Sequence, residues 1–84
     1  MKRAMLFVRG TDTEKQRELC EAYCKKNNFY IKGTTESLQH AFDRSVEYDI
    51  LVTAGVTRIS RHKKNFDEVV ETFDELGITV LIAD

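Results

Sequence analysis

The sequence predicts a small three-layer α/β/α domain built on a four-stranded parallel sheet with strand order 2-1-3-4. Three observations lead there. Short apolar runs alternate with amphipathic stretches in the order β-α-β-α-β-α-β, which implies parallel strands joined by right-handed crossovers. The apolar runs are continuous rather than alternating, as in strands covered on both faces. The 84 residues contain no proline and only four glycines, so no linker or low-complexity segment divides them, and residues 1–84 are expected to form one domain. Apolar residues make up 42% and charged residues 32%, ordinary values for a globular chain. The net charge of −1 excludes a chain that is basic throughout and binds nucleic acid non-specifically.

Each element has its own signal. Ala4 to Val8 is a buried strand. Thr11 and Glu14 have capping-box spacing, as do Thr13 and Gln16, so either threonine starts a helix that runs to about Lys26. Leu19, Cys20, Tyr23 and Cys24 form its apolar stripe, and Asn27-Asn28 ends it. Phe29-Tyr30-Ile31 is a second strand closed by Gly33. Thr35 is expected to cap a short helix with Leu38, Ala41, Phe42 and Ser45-Val46 inward. Ile50-Leu51-Val52 is the third strand, and a loop is expected from about Val56 to Lys64. Phe66, Val69, Val70, Phe73 and Leu76 recur at helical spacing up to Gly77, and Ile78 to Ala83 is the last strand. Tyr23 is expected in the core, with Tyr30 and Tyr48 half-exposed.

In such a sheet, with its flavodoxin-like order, ligands bind beyond the carboxyl ends of the strands, where the first and third strands lie side by side. The first strand delivers Arg9, Gly10 and Thr11 to that end, and the third delivers Thr57-Arg58-Ile59-Ser60-Arg61-His62-Lys63-Lys64. Residues 58–64 hold four formal positive charges and no acid, whereas the following helix carries Asp67, Glu68, Glu71, Asp74 and Glu75. Arginine grips phosphate oxygens in a bidentate, permanently charged fork, and a helix start adds backbone N–H groups. The pattern therefore fits a phosphate site. It also fits a plainer arrangement, in which Thr11 is only a helix cap and the basic loop is solvated or paired with the acidic helix.

Several segments resemble the catalytic domain of the serine recombinases, the resolvases and invertases. Phe7-Val8-Arg9-Gly10-Thr11-Asp12 resembles the Tyr-x-Arg-Val-Ser-Thr motif that opens that domain. Gln16-Arg17-Glu18-Leu19 resembles the Gln-Arg-x-x-Leu of its first helix. Asp49-Ile50-Leu51-Val52 and then Thr57-Arg58-Ile59-Ser60-Arg61 resemble its Asp-x-Leu-Val and Asp-Arg-Leu-x-Arg, and Leu76-Gly77-Ile78 resembles its Leu-x-x-x-Gly-Val. The resemblance implies a resolvase-like fold. It implies a site in which a serine attacks a DNA phosphodiester and arginines steady the charge on the phosphate, within a tetramer. By position it places Thr11 at the nucleophile, Gln16 at the family's catalytic glutamine, and Arg9, Arg58 and Arg61 on the scissile phosphate. Lys63 and Lys64 would extend the contact with the DNA backbone.

The departures from the pattern are chemical. Threonine replaces the serine, and a secondary alcohol crowds an in-line attack. Thr57 replaces the aspartate of the Asp-Arg pair, and Gly10 replaces the valine before the serine. Residues 33–43 form a shorter segment than in the family, with Arg44 as the candidate for a further arginine. The family's further strand, long dimer-forming helix and DNA-binding domain are not expected within residues 1–84. These departures predict a degenerate, inactive recombinase domain that keeps a DNA-phosphate site. Two further readings stand beside it: an interaction module that pairs with itself or with a full-length recombinase, and an enzyme that uses Thr11.

No cofactor or metal is expected. Cys20 and Cys24 lack the close spacing of zinc ligands and read as buried thiols, and no nucleotide-binding glycine loop occurs. Ser60 is a rival hydroxyl and His62 a histidine among cations, both read as loop residues. No stretch approaches the roughly 20 apolar residues of a membrane span. A cytoplasmic location is expected, with DNA and a second recombinase-like chain as partners.

Overall fold

A computed structural model describes residues 1–83, so the expected domain end at Asp84 lies outside the described residues. Four parallel strands, β1 (Arg3–Phe7), β2 (Tyr30–Thr35), β3 (Ile50–Thr53) and β4 (Thr79–Ile82), form one sheet in the order β2-β1-β3-β4. The expected order is the observed one. β1 sits between β2 and β3 with Ala4 opposite both Ile31 and Ile50, and β3 pairs with β4 from Ile50↔Thr79 to Thr53↔Ile82.

The pleat sends alternate side chains to two cores. On one face Met5, Phe7 and Leu51 meet Ala41, Tyr48, Ile59, Phe73 and Ile78. On the other Ala4, Leu6, Ile50 and Val52 meet Cys20 and Cys24 of α1 (Thr13–Asn27). The first face is covered by α2 (Leu38–Asp43), the one-turn helix α3 (Val56–Ile59) and α4 (Lys63–Glu75). Both thiols are free and fully buried, and burial pushes that of Cys20 up to about 11, so neither is a reactive thiolate near neutral pH.

Several local expectations change. Neither Thr11 nor Thr13 caps α1; Asp12 holds the N-cap position, and its carboxylate is turned to side chains instead of the helix backbone. β2 does not stop at Gly33. It runs on to Thr35, which pairs with Phe7. Ser37 therefore caps α2, accepting from the His40 N–H at 3.2 Å, and the Thr35 hydroxyl accepts from the Ser37 N–H. The expected loop from Val56 contains α3, and α4 already begins at Lys63.

Four apolar or aromatic residues also sit differently from expectation. Leu19, on the expected apolar stripe of α1, is exposed, and only Cys20 and Cys24 of that stripe are fully buried. Val46 is 84% exposed, because the chain leaves α2 at Asp43 and turns through a 3-10 segment, Ser45–Glu47. Leu76 is also exposed, as the helix has ended before it. Tyr48 is buried, not half-exposed, and its hydroxyl donates to the Ala41 carbonyl.

Candidate phosphate site at the carboxyl ends of β1 and β3

β1 and β3 end side by side, and residues 9–10 and 57–61, in the segments leaving them, form the walls of an open cleft. Arg9, Gly10, Thr57, Arg58, Ser60 and Arg61 line it together with Ile59, around a volume of about 300 Å³. The three arginines singled out in the sequence thus share one cleft. Gly10 is at φ +101, a conformation that L side chains rarely adopt, and a Cβ there would stand 3.3 Å from Nη1 of Arg58. Glycine at this position both permits the turn and lets Arg58 approach the backbone.

Two of the arginines are held. Nη1 of Arg9 donates to the Ile59 carbonyl at 3.3 Å, and the guanidinium lies 5.9 Å from the centroid of the Phe7 ring. Nη1 of Arg58 donates to the Arg9 carbonyl at 3.4 Å. Its Nη2 lies 3.3 Å from both oxygens of the Asp12 carboxylate. Arg61 is exposed.

Beneath the cleft Gln16 is buried, and both ends of its amide are used. Its Oε1 accepts from the Arg9 N–H at 3.0 Å, while Nε2 donates to the Arg9 carbonyl at 2.6 Å and to Asp12 at 2.8 Å. The Gln16 hydrogen bond, helped by Arg58 and Lys15, holds the Asp12 carboxyl below the usual carboxylate range. Asp12 is therefore a full anion at neutral pH, placed on one of the arginines.

Thr11 is exposed and is not among the residues lining the cleft, although Gly10 next to it is. Lys63 and Lys64 are exposed at the start of α4 and do not line it either. The Ser60 hydroxyl accepts from the His62 N–H, which shapes the turn into α4. Sequence reasoning missed Asp12. Its signal was present, an acid immediately after the hydroxyl position, but only the fold brings it against a residue 46 positions away.

A larger cleft of about 440 Å³ lies between the ends of β1 and β2, where Thr13, Glu14, Arg17, Thr34, Thr35 and Glu36 line it with Val8. Two glutamates against one arginine give it no preference for an anion, so charge and not size singles out the β1–β3 cleft. Among the described residues no group of three or more His, Cys, Asp or Glu side chains could hold a metal ion, and no helix is long and apolar enough to cross a membrane.

By sequence, no protein-family model and no curated protein matches the chain. By structure it resembles several solved proteins. The C-terminal catalytic domain of ISC1926 TnpA, an IS607-like serine recombinase, superposes with a TM-score of 0.86 at 16% identity, covering 95% of this chain and 68% of that one. The N-terminal catalytic domain of TP901-1 integrase gives 0.85 at 14% identity, covering 96% and 76%. A resolvase family site-specific recombinase from Streptococcus pneumoniae gives 0.83 at 11% identity, covering 99% and 72%. The chain has the fold of the serine recombinase catalytic domains.

Proposed function

We propose that this chain is a serine-recombinase-like domain that holds DNA through backbone phosphate and does not itself exchange strands. The observation that carries the reading is the gathering of Arg9, Arg58 and Arg61 in one cleft at the switch point of the sheet. Two permanently charged forks fixed by backbone carbonyls, beside a third that is exposed, suit the oxygens of a phosphodiester. Contact with phosphate is assigned to these three residues. Lys63 and Lys64 lie outside the cleft and add only long-range attraction.

The assignment of inactivity rests on chemistry and placement. Thr11 offers a secondary alcohol that does not line the arginine cleft. Gln16, the candidate for a catalytic amide, spends its donors and acceptor on Arg9 and Asp12. Arg58 is already paired with an acid. Catalytic groups of this kind act as a unit, so several simultaneous departures leave little rate enhancement. In this reading the protein works in the cytoplasm, on DNA, without a cofactor.

The test is fluorescence anisotropy of a labelled duplex at low and moderate salt. Binding is expected to weaken steeply with salt. It is expected to fall about tenfold or more in Arg58→Ala/Arg61→Ala, as each lost phosphate contact reduces both affinity and salt slope. Equal binding by wild type and the double variant would sink the phosphate assignment. A covalent protein–DNA adduct that disappears in Thr11→Ala would sink the assignment of inactivity.

A further inference from the structure

The arginine cleft holds more positive charge than one phosphodiester needs. Arg9, Arg58 and Arg61 line it with Thr57 and Ser60, and no acid is among the lining residues. Asp12 meets Arg58 from the other side and lines the smaller hollow beside Leu19 and Ala54. Among the described residues the three guanidiniums donate only to the Ile59 and Arg9 carbonyls and to Asp12. Each guanidinium carries five N–H groups, so most of these donors stay open to a ligand.

The positive charge is also local. The whole chain carries −1. Beyond Lys63 and Lys64 the exposed positions of α4 turn acidic, with Asp67, Glu68, Glu71, Asp74 and Glu75. A surface that follows unbroken duplex spreads its cations along several phosphates. Here they are gathered in one pocket, and its volume of about 300 Å³ is at the small end for ligand clefts.

DNA offers phosphate in two forms. The diester of an unbroken strand is a monoanion with two free oxygens and a sugar on each side. The monoester at a break has three free oxygens, one sugar and close to two negative charges at neutral pH. Three arginine forks match three oxygens, and the second charge nearly doubles the Coulomb attraction of each arginine. Thr57 sharpens the preference. It stands where the serine recombinase pattern has an aspartate, exposed on the cleft wall. An acid there would cancel one of the three positive charges, and it would repel a dianion more than a monoanion.

We propose that the cleft recognises a terminal phosphomonoester of DNA, the phosphate at a nick or strand end, in preference to the phosphodiester of an unbroken strand. The inference rests on the phosphate assignment above and narrows its substrate. Arg9 and Arg58, each fixed by a backbone carbonyl, form the base of the grip, and the exposed Arg61 supplies the third fork. The domain thus collects on broken DNA and leaves intact duplex largely free.

Fluorescence anisotropy at moderate salt tests this on four versions of one duplex: unbroken, nicked with hydroxyls only, nicked with a 5′-phosphate, and nicked with a 3′-phosphate. At least one phosphorylated nick is expected to bind about tenfold tighter than the hydroxyl nick and the unbroken duplex. The advantage is expected to shrink from about pH 7.5 to about pH 5.5, as the dianion takes up a proton. The unbroken duplex shares every titration of the protein, including Asp12 behind Arg58 and His62 next to Arg61, so the difference belongs to the ligand. Thr57→Asp is expected to remove most of the advantage, and Thr57→Asn, of the same shape without the charge, to keep it. Equal binding of all four duplexes, lost in Arg58→Ala/Arg61→Ala, would overturn the preference for ends and leave the phosphate assignment standing. No binding to any of them would overturn both. An advantage unchanged at the lower pH, or undiminished in Thr57→Asp, would overturn the dianion preference. A free deoxynucleoside 5′-monophosphate that competes at the affinity of the nicked duplex would make the nucleotide the ligand and overturn the assignment to DNA.

Discussion

At the scale of single residues, Asp12 decides how much of the arginine cleft is free. Its carboxylate draws Arg58 onto the first turn of α1 and makes that arginine a wall between the cleft and a smaller hollow beside Leu19 and Ala54. An incoming phosphate has to compete with it. Asp12→Asn keeps the shape and an oxygen that can accept from Gln16 while removing the charge. The expected result is unimpaired folding with duplex binding several-fold tighter, measured by the same anisotropy assay. Affinity equal to or weaker than wild type would show that Asp12 is not a competitor for Arg58. The arginines themselves were legible in the sequence as a charge cluster. Their restraint was not, because the partners of Arg9 and Arg58 are backbone carbonyls about 50 positions away.

At the scale of elements, both long helices end in the same hydrogen-bonded motif. In α4 the Ile78 N–H reaches the Phe73 carbonyl and the Gly77 N–H reaches that of Asp74, around Gly77 at φ +80. In α1 Phe29 reaches Cys24 and Asn28 reaches Lys25, around Asn28 at φ 59. In each the residue after the turn joins the same core cluster as its partner, so the turn aims the next strand at the sheet. Gly77→Ala is expected to cost about 1–2 kcal/mol in a urea melt, since alanine resists positive φ. A cost near zero would mean that the turn adopts another conformation. The helix ends were readable because glycine and asparagine mark them. The starts were misplaced by one or two residues, because several hydroxyls and acids compete for each cap and the sheet register chooses among them.

At the scale of the whole molecule, the amino end of the sheet is pinned by an ion pair between strands. Nε and Nη2 of Arg3 hold Asp49 at 3.2 and 3.1 Å, and the Arg3 N–H adds a third contact at 3.0 Å. These hydrogen bonds bring the Asp49 carboxyl down to about 2. A folded pKa below the unfolded value near 3.9 means the stabilisation is present above that value and lost as pH falls toward about 2. Both side chains are more than 40% exposed, so solvent screens the pair. Asp49→Asn is expected to lower the melting temperature at pH 7 and to match wild type near pH 2. A gap that persists unchanged at pH 2 would assign the effect to packing instead of charge.

The fold class, the strand order, the ends of the two long helices and the clustering of basic residues are legible in the amino-acid order, because these follow from periodicity, crossover handedness and neighbours along the chain. The folded chain adds that Arg9, Arg58 and Arg61 share a cleft which Thr11, Lys63 and Lys64 do not line. It also decided that Gln16 is buried as a clamp and that Asp12 answers Arg58. Such facts depend on backbone groups and side chains brought together by the sheet, and a carbonyl or a carboxylate carries no mark in the sequence of the distant residue it will meet.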